Sequence, residues 1–288
     1  MNYEQFVLSL LECVKKRLDE TALVEKQEVR RNNGVTAIGL TIRFHGESVA
    51  PVIYLEDYFR KYCRGVSMEE LAEHLLKCAR YAPAPPAWDY SDILEFQKVR
   101  HLIVYKLVNA ERNKQLLKEV PNLPMLDFAI IFYVMIPVNE YESCSVLIKN
   151  LHMDYWKLPI SLLYRCAKEN TGKMCPYILK PLSEYVSHYL REEVPESPLL
   201  ILSNESGING ATAILYPEVP QRIFERVGKK YYLLPSSIHE LLVVPDEFDV
   251  NPLNLKGIVR EVNEKHIAEE EFLSDDIYYF DGNIITKM

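Results

Sequence analysis

The residues with the most chemical content stand together near the carboxy end, at Ser236-Ser237-Ile238-His239-Glu240. A hydroxyl near an imidazole that a carboxylate orients is the logic of an activated nucleophile, so Ser237, His239 and Glu240 are the catalytic candidates for a hydrolase-type reaction. Adjacency in sequence works against a literal triad. On an extended strand from Ile238 to Val244, the side chains of Ile238, Glu240, Leu242 and Val244 share one face and those of His239, Leu241 and Val243 the other. His239 and Glu240 then cannot point at each other, and each stands at the rim of a buried strand. The competing reading is structural: the serines cap a turn and the polar side chains satisfy nearby backbone groups, the usual fate of buried polar atoms.

A second set, Glu70, His74 and Cys78, recurs every four residues on one stripe of a helix, a spacing compatible with metal ligands. Met68, Leu71, Leu75 and Ala79 form the adjacent apolar stripe, which makes Cys78 a boundary residue and Glu70 with His74 a solvated pair. No supporting ligand is identifiable, so no metal is expected, and Glu184 with His188 is read the same way. Gly207 and Gly210 lie in a segment without a P-loop ending or a dinucleotide fingerprint, so no cofactor is expected either. The segment reads as a hairpin loop whose Asn209-Gly210 step needs a positive φ. Tyrosine is abundant, 19 residues against 2 tryptophans, and Tyr54, Tyr58 and Tyr62 fall on one side of a helical reading. Such residues suit a surface that is half apolar and half wet, either a partner interface or the edge of a core.

The elements that position these groups follow from periodicity. Phe6, Leu10, Leu11, Val14 and Leu18 have helical spacing behind a capping Asn2. Asn32-Asn33-Gly34 supplies a tight turn into a strand over Val35–Ile42, and a third strand, Val49–Leu55, carries Pro51, which argues for an edge or an irregularity. Helices are expected over Glu56–Cys63 and, opened by the Ser67/Glu70 capping box, to about Arg80. Pro83-Ala84-Pro85-Pro86 cannot continue a helix. Beyond it, strands are expected over His101–Val108, Ala129–Pro137, Ser145–Lys149, Leu199–Ser203, Thr212–Tyr216 and Tyr231–Leu234. Helices are expected over Ala110–Lys118, from Pro159 and from Pro181, over Pro217–Val227 and over Leu253–Glu264, with a terminal strand pairing near Ile277–Ile285.

The expected fold class is therefore α+β: an N-terminal helix, a three-stranded meander and helices over residues 1–82, a proline-rich connection over 83–90, and a larger mixed part with a C-terminal sheet over 91–288. One single domain is the alternative, since proline-rich loops and linkers look alike.

Composition limits the function classes. With 48% hydrophobic and 26% charged residues, the chain of 288 residues has ample material for a core. A net charge of -8 repels phosphate backbones, which argues against nucleic acid. The 6 cysteines include no Cys-x-x-Cys pair and read as reduced thiols, and Met1–Phe6 carries no secretory signal pattern. The longest apolar run, Phe128–Val138, is far short of the roughly 20 residues a membrane-spanning helix needs. A cytoplasmic location, with no membrane association, is the expectation.

Two groups of motifs carry a resemblance: Asn32-Asn33-Gly34-Val35 with Ile53-Tyr54-Leu55-Glu56, and Asn209-Gly210-Ala211 through Tyr216-Pro217 with Leu234-Pro235-Ser236-Ser237-Ile238-His239-Glu240. The chain resembles a bacterial family described only as a domain of unknown function, met in anaerobic bacteria and on their mobile elements. The resemblance implies a bacterial cytoplasmic setting and no reaction, so it assigns no site residue. The absence of a catalytic signature, the acidic charge and the tyrosine-rich segments together favour a non-enzymatic binding or regulatory protein acting through a protein partner. The rival is an enzyme of hydrolase type with a pocket near Ser237, His239 and Glu240.

Overall fold

A computed structural model describes residues 1–46, 50–81, 90–137, 143–190, 195–235, 237–247 and 251–288. The proline cluster and Ser236 lie outside them. The chain is α+β, and its described residues divide into two compact units: residues 1–31, 35–93 and 136–144, and residues 32–34, 94–135 and 145–288.

In the first unit the order is α1 (Tyr3–Lys15), β1 (Leu23–Arg30), β2 (Thr36–Arg43), β3 (Val52–Tyr54), α2 (Glu56–Cys63) and α3 (Met68–Tyr81). Helix α1 begins where Asn2 accepts from the Gln5 amide at 2.9 Å and the Gln5 side chain accepts from the Asn2 amide, a reciprocal cap. Ser67 and Glu70 make the same arrangement at the head of α3. The antiparallel sheet has the order β1-β2-β3, so β3, which follows Pro51, is an edge as the proline requires. Phe6, Leu10 and Val14 pack with Leu40 and Ile42 of β2 and with Leu71 and Leu75 of α3. Each large apolar side chain so buried contributes ~1.5–3 kcal/mol.

The second unit runs α4 (Phe96–Val99), β4 (Ile103–Asn109), α5 (Leu116–Glu119), β5 (Asn122–Met125), most of β6 (Phe128–Pro137) and of β7 (Ser143–Leu147), α6 (Asn150–Trp156), α7 (Ile160–Met174) and β8 (Tyr177–Pro181). It continues with α8 (Leu182–Leu190), β9 (Leu200–Asn204), α9 (Val219–Val227), β10 (Tyr231–Leu234), β11 (Leu241–Pro245), α10 (Pro252–His266), β12 (Tyr278–Phe280) and β13 (Ile285–Lys287). One sheet has the order β4-β6-β5 with β7 also on β6, and the other has the order β13-β12-β10-β11-β9-β8. Strand β4 would leave amides bare at its outer edge. There the Tyr105 N–H donates to Thr171 Oγ1 of α7 at 3.2 Å and the Leu107 N–H to Thr212 Oγ1 at 3.1 Å, so helix and turn cover the edge.

Asparagines join three separate stretches of this unit. Asn33, in the left-handed region at φ 59, donates from its side chain to the Glu269 and Phe272 carbonyls, and its own amide donates to Asn113 Oδ1 at 2.9 Å. Asn113 Nδ2 reaches Asn32 Oδ1, Asn33 Oδ1 and the Asn109 carbonyl, while Asn109 Nδ2 donates to the Leu273 carbonyl. These buried amides are paired, which makes the network a structural clasp.

Three expectations fail. Residues 212–216 are not a strand: Gly210–Leu215 is a 3-10 turn. Its Thr212 hydroxyl serves β4, and Gly210 lies close against Ser203 and Asn204 of β9. Residues 110–118 give only the short α5, because Asn109 and Asn113 spend their amides on the clasp. The strand read from Ile238 starts at Leu241, where pairing with Leu202 begins.

Candidate functional site

The loop before β11 is shaped by its own side chains. Ser237 Oγ accepts from the His239 amide at 2.9 Å, a turn bond that competes with strand pairing. The Ile238 amide donates to the Glu271 carbonyl at 2.8 Å, and the His239 carbonyl accepts from Ser203 Oγ at 2.7 Å. Against this loop lies the Asn209-Gly210 step. Positive φ falls on Asn209, at 54°, and not on Gly210, which corrects the reason for the glycine. A Cβ at Gly210 would stand closer than 3.0 Å to Ser203 Oγ, the His239 carbonyl oxygen and the Asn204 nitrogen. Glycine is there for close approach.

The three candidates are neighbours that do not act on one another as a triad. Ser237 is buried, and its Oγ donates to Glu240 Oε1 at 2.8 Å. The His239 ring turns the other way. Its Nδ1 accepts from the Asn209 backbone N–H at 3.3 Å, which assigns the neutral ring's hydrogen to Nε2. Nε2 faces Glu271 Oε1 at 3.6 Å. Nδ1 is hydrogen-bonded, Nε2 stands beyond hydrogen-bond distance of Glu271, and neither nitrogen bonds to Ser237 or Glu240. Sequence spacing carries no sign of Asn209 or Glu271, which arrive from segments 30 and 32 residues away.

The helical set also finds local uses. Glu70 serves the α3 cap. His74 Nδ1 lies 3.0 Å from the Tyr58 hydroxyl and 3.6 Å from Cys78 Sγ. Among the described residues no group of three or more His, Cys, Asp or Glu side chains is placed to hold a metal. Of the tyrosine stripe, Tyr58 is buried and Tyr62 packs on the first unit's core, while Tyr54 is 36% exposed beneath the Arg31 guanidinium. The stripe is the edge of a core.

Two features of the second unit carry no motif. A recess of about 490 Å³ lies along α7, lined by Arg165, Lys168, Glu169 and Lys173, with Tyr216 and Glu218 opposite. Those five charged side chains have no ion-pair partner among the described residues. The Tyr216 ring lies beside Gly172, and its hydroxyl donates to the Cys175 carbonyl at 2.8 Å. Nearby, β4 carries Tyr105, whose ring stacks on Tyr164 and whose fully buried hydroxyl has no hydrogen-bond partner among the described residues. The next residue, Lys106, lays its ammonium 5.8 Å from the centroid of the Tyr133 ring. Burial pushes the Tyr105, Tyr133 and Tyr216 phenols and the Cys175 thiol up. It pushes the Lys106 amine down, and no carboxylate offsets that effect.

Comparison with known proteins matches the chain to the model of a family of unknown function, DUF5688, over residues 3–282. The chain belongs to that family. No curated protein and no solved structure matches it. The family assigns no role to a residue, so the geometry above is what bears on function. Among the described residues no helix is long and apolar enough to cross a membrane.

Proposed function

We propose that this chain is a non-catalytic binding or regulatory protein of the bacterial cytoplasm that acts through a protein partner. The observation that carries this reading is the orientation of His239: a general base needs a nitrogen within reach of a nucleophile, and its ring turns away from Ser237, with Nδ1 on the Asn209 amide and Nε2 toward Glu271. The Ser237 hydroxyl is likewise spent on Glu240 and on a turn amide. The bacterial setting, and an accessory role on a mobile element, rest on the family resemblance alone.

The partner's surface in this reading is the recess along α7. Unpaired charges of both signs around a tyrosine suit a peptide segment carrying both signs of charge, with rim charges setting selectivity and rate of encounter. The test is differential. Tagged wild type and the Arg165→Glu/Lys168→Glu/Lys173→Glu variant are expressed in the native bacterium and their bound proteins compared. A partner held by the wild type and lost by the folded variant supports the reading; an identical set on both sinks this surface. In parallel, purified protein is assayed with nitrophenyl esters. Turnover abolished by Ser237→Ala in a folded protein would replace this reading with the hydrolase.

A further inference from the structure

Lysine is rare in the middle of a buried strand, because an ammonium removed from water without an anion is costly. Lys106 is the fourth of the seven residues of β4, among Val104, Tyr105, Leu107 and Val108, all buried. The antiparallel register sets it opposite Ile131 and puts Tyr133 diagonally beside it, opposite Val104. Its face of the sheet therefore includes Val108 and Ile131, members of an apolar cluster with Ala129 and Val120. Among the described residues no hydrogen bond or ion pair reaches the amine, which lies against the Tyr133 ring. The residue as a whole is part-buried, neither sealed off nor in open solvent.

A group so placed is relieved by becoming neutral, and a neutral amine is a nucleophile. We propose that Lys106 is a covalent capture site for a small aldehyde, which its amine binds as an imine beside the Tyr133 ring. The nitrogen lone pair attacks the carbonyl carbon, forming the C–N bond as the C=O π pair moves to oxygen. A proton passes from nitrogen to that oxygen, giving a carbinolamine. The hydroxyl then leaves with the remaining nitrogen proton as water, and the C=N bond forms. No oxidant or reductant enters. An apolar ligand suits the site better than an anion, since neutral amine, neutral aldehyde and neutral imine place no charge on the apolar face. This goes beyond the partner reading and does not depend on it.

The test uses the purified full chain, butanal as the probe and cyanoborohydride to trap the imine, with every lysine followed by peptide mass spectrometry. At pH 7 Lys106 should be alkylated several-fold faster than the median lysine, because its proton is held less tightly. The preference should fade as the pH approaches the ordinary lysine value of 10.5 and the other amines also become neutral. Labelling of Lys106 at or below the median rate overturns the proposal. So does a fast phase of total labelling that survives in Lys106→Met. Neither result touches the recess along α7, whose variants are scored on partner capture.

Discussion

At the His239 corner, Ser203, Asn209, Ser237 and His239 are all hydrogen-bonded, two of the bonds joining segments 30 or more residues apart, whereas on β4 the Tyr105 hydroxyl and the Lys106 amine have no such partner among the described residues. Both places set polar atoms among apolar side chains. The corner has catalytic residue types in its sequence, and the fold consumes them; β4 reads as a plain buried strand and leaves its polar groups unpaired among the described residues. Pairing, and not residue type, separates architecture from chemistry here.

The largest effect that would sharpen this contrast is expected at Gly210. Gly210→Val drives a β-branched side chain into Ser203 Oγ, the His239 carbonyl and the Asn204 nitrogen, two of them backbone atoms that cannot swing aside. A loss of about 3 kcal/mol, read from the urea midpoint at unchanged slope, is the expected outcome. A midpoint within error of wild type would mean that the corner is loose. Next comes Asn113→Ala, which strands the Asn33 amide and removes three donated bonds from the clasp, for about 2–3 kcal/mol. A loss under about 0.5 kcal/mol would show that water replaces the network freely.

His239→Ala should cost less, about 1–2 kcal/mol, because the Asn209 amide it strands is only part-buried and the Glu271 contact is open to solvent. Partner capture by the folded variant should be unchanged. A fully stable His239→Ala protein that has lost its function would overturn the structural reading and return Ser237, His239 and Glu240 to first place.

How much of this is legible in the sequence depends on range. Caps, the Asn33-Gly34 turn, the Pro51 edge and the Gly228 helix stop are local, and their residue types announce them. The Gly210–Leu215 turn passes for a strand because its apolar residues are buried by a strand edge far away in sequence, which periodicity cannot see. The same holds for His239, whose partners at 209 and 271 share no motif with it. Lys106 does leave a trace: one charge inside Ile103-Val104-Tyr105-Lys106-Leu107-Val108, a run that otherwise reads as a strand buried on both faces. A polar interruption of such a run carries as much weight as a serine beside a histidine.

The smallest expected effect tests that weight most directly. Lys106→Met keeps the unbranched stem and removes the amine, so the variant should be as stable as wild type or more stable by about 1 kcal/mol at pH 7, the usual result of replacing an unfavourably buried charge by an apolar side chain. The sign with pH follows from the direction of the shift. Burial makes the folded protein hold the Lys106 proton less tightly than the unfolded chain does, so below the ordinary value of 10.5 the unfolded state binds more protons. Wild-type stability must then gain from this group as the pH rises toward 10.5, while the methionine variant has no such gain. The advantage of methionine should accordingly be greatest at low pH and shrink on going from pH 7 to pH 10, measured as the difference in urea midpoints at each pH. A difference that stays constant across that range would mean that the amine reaches bulk water in the folded state, and Lys106 would join His239 as architecture.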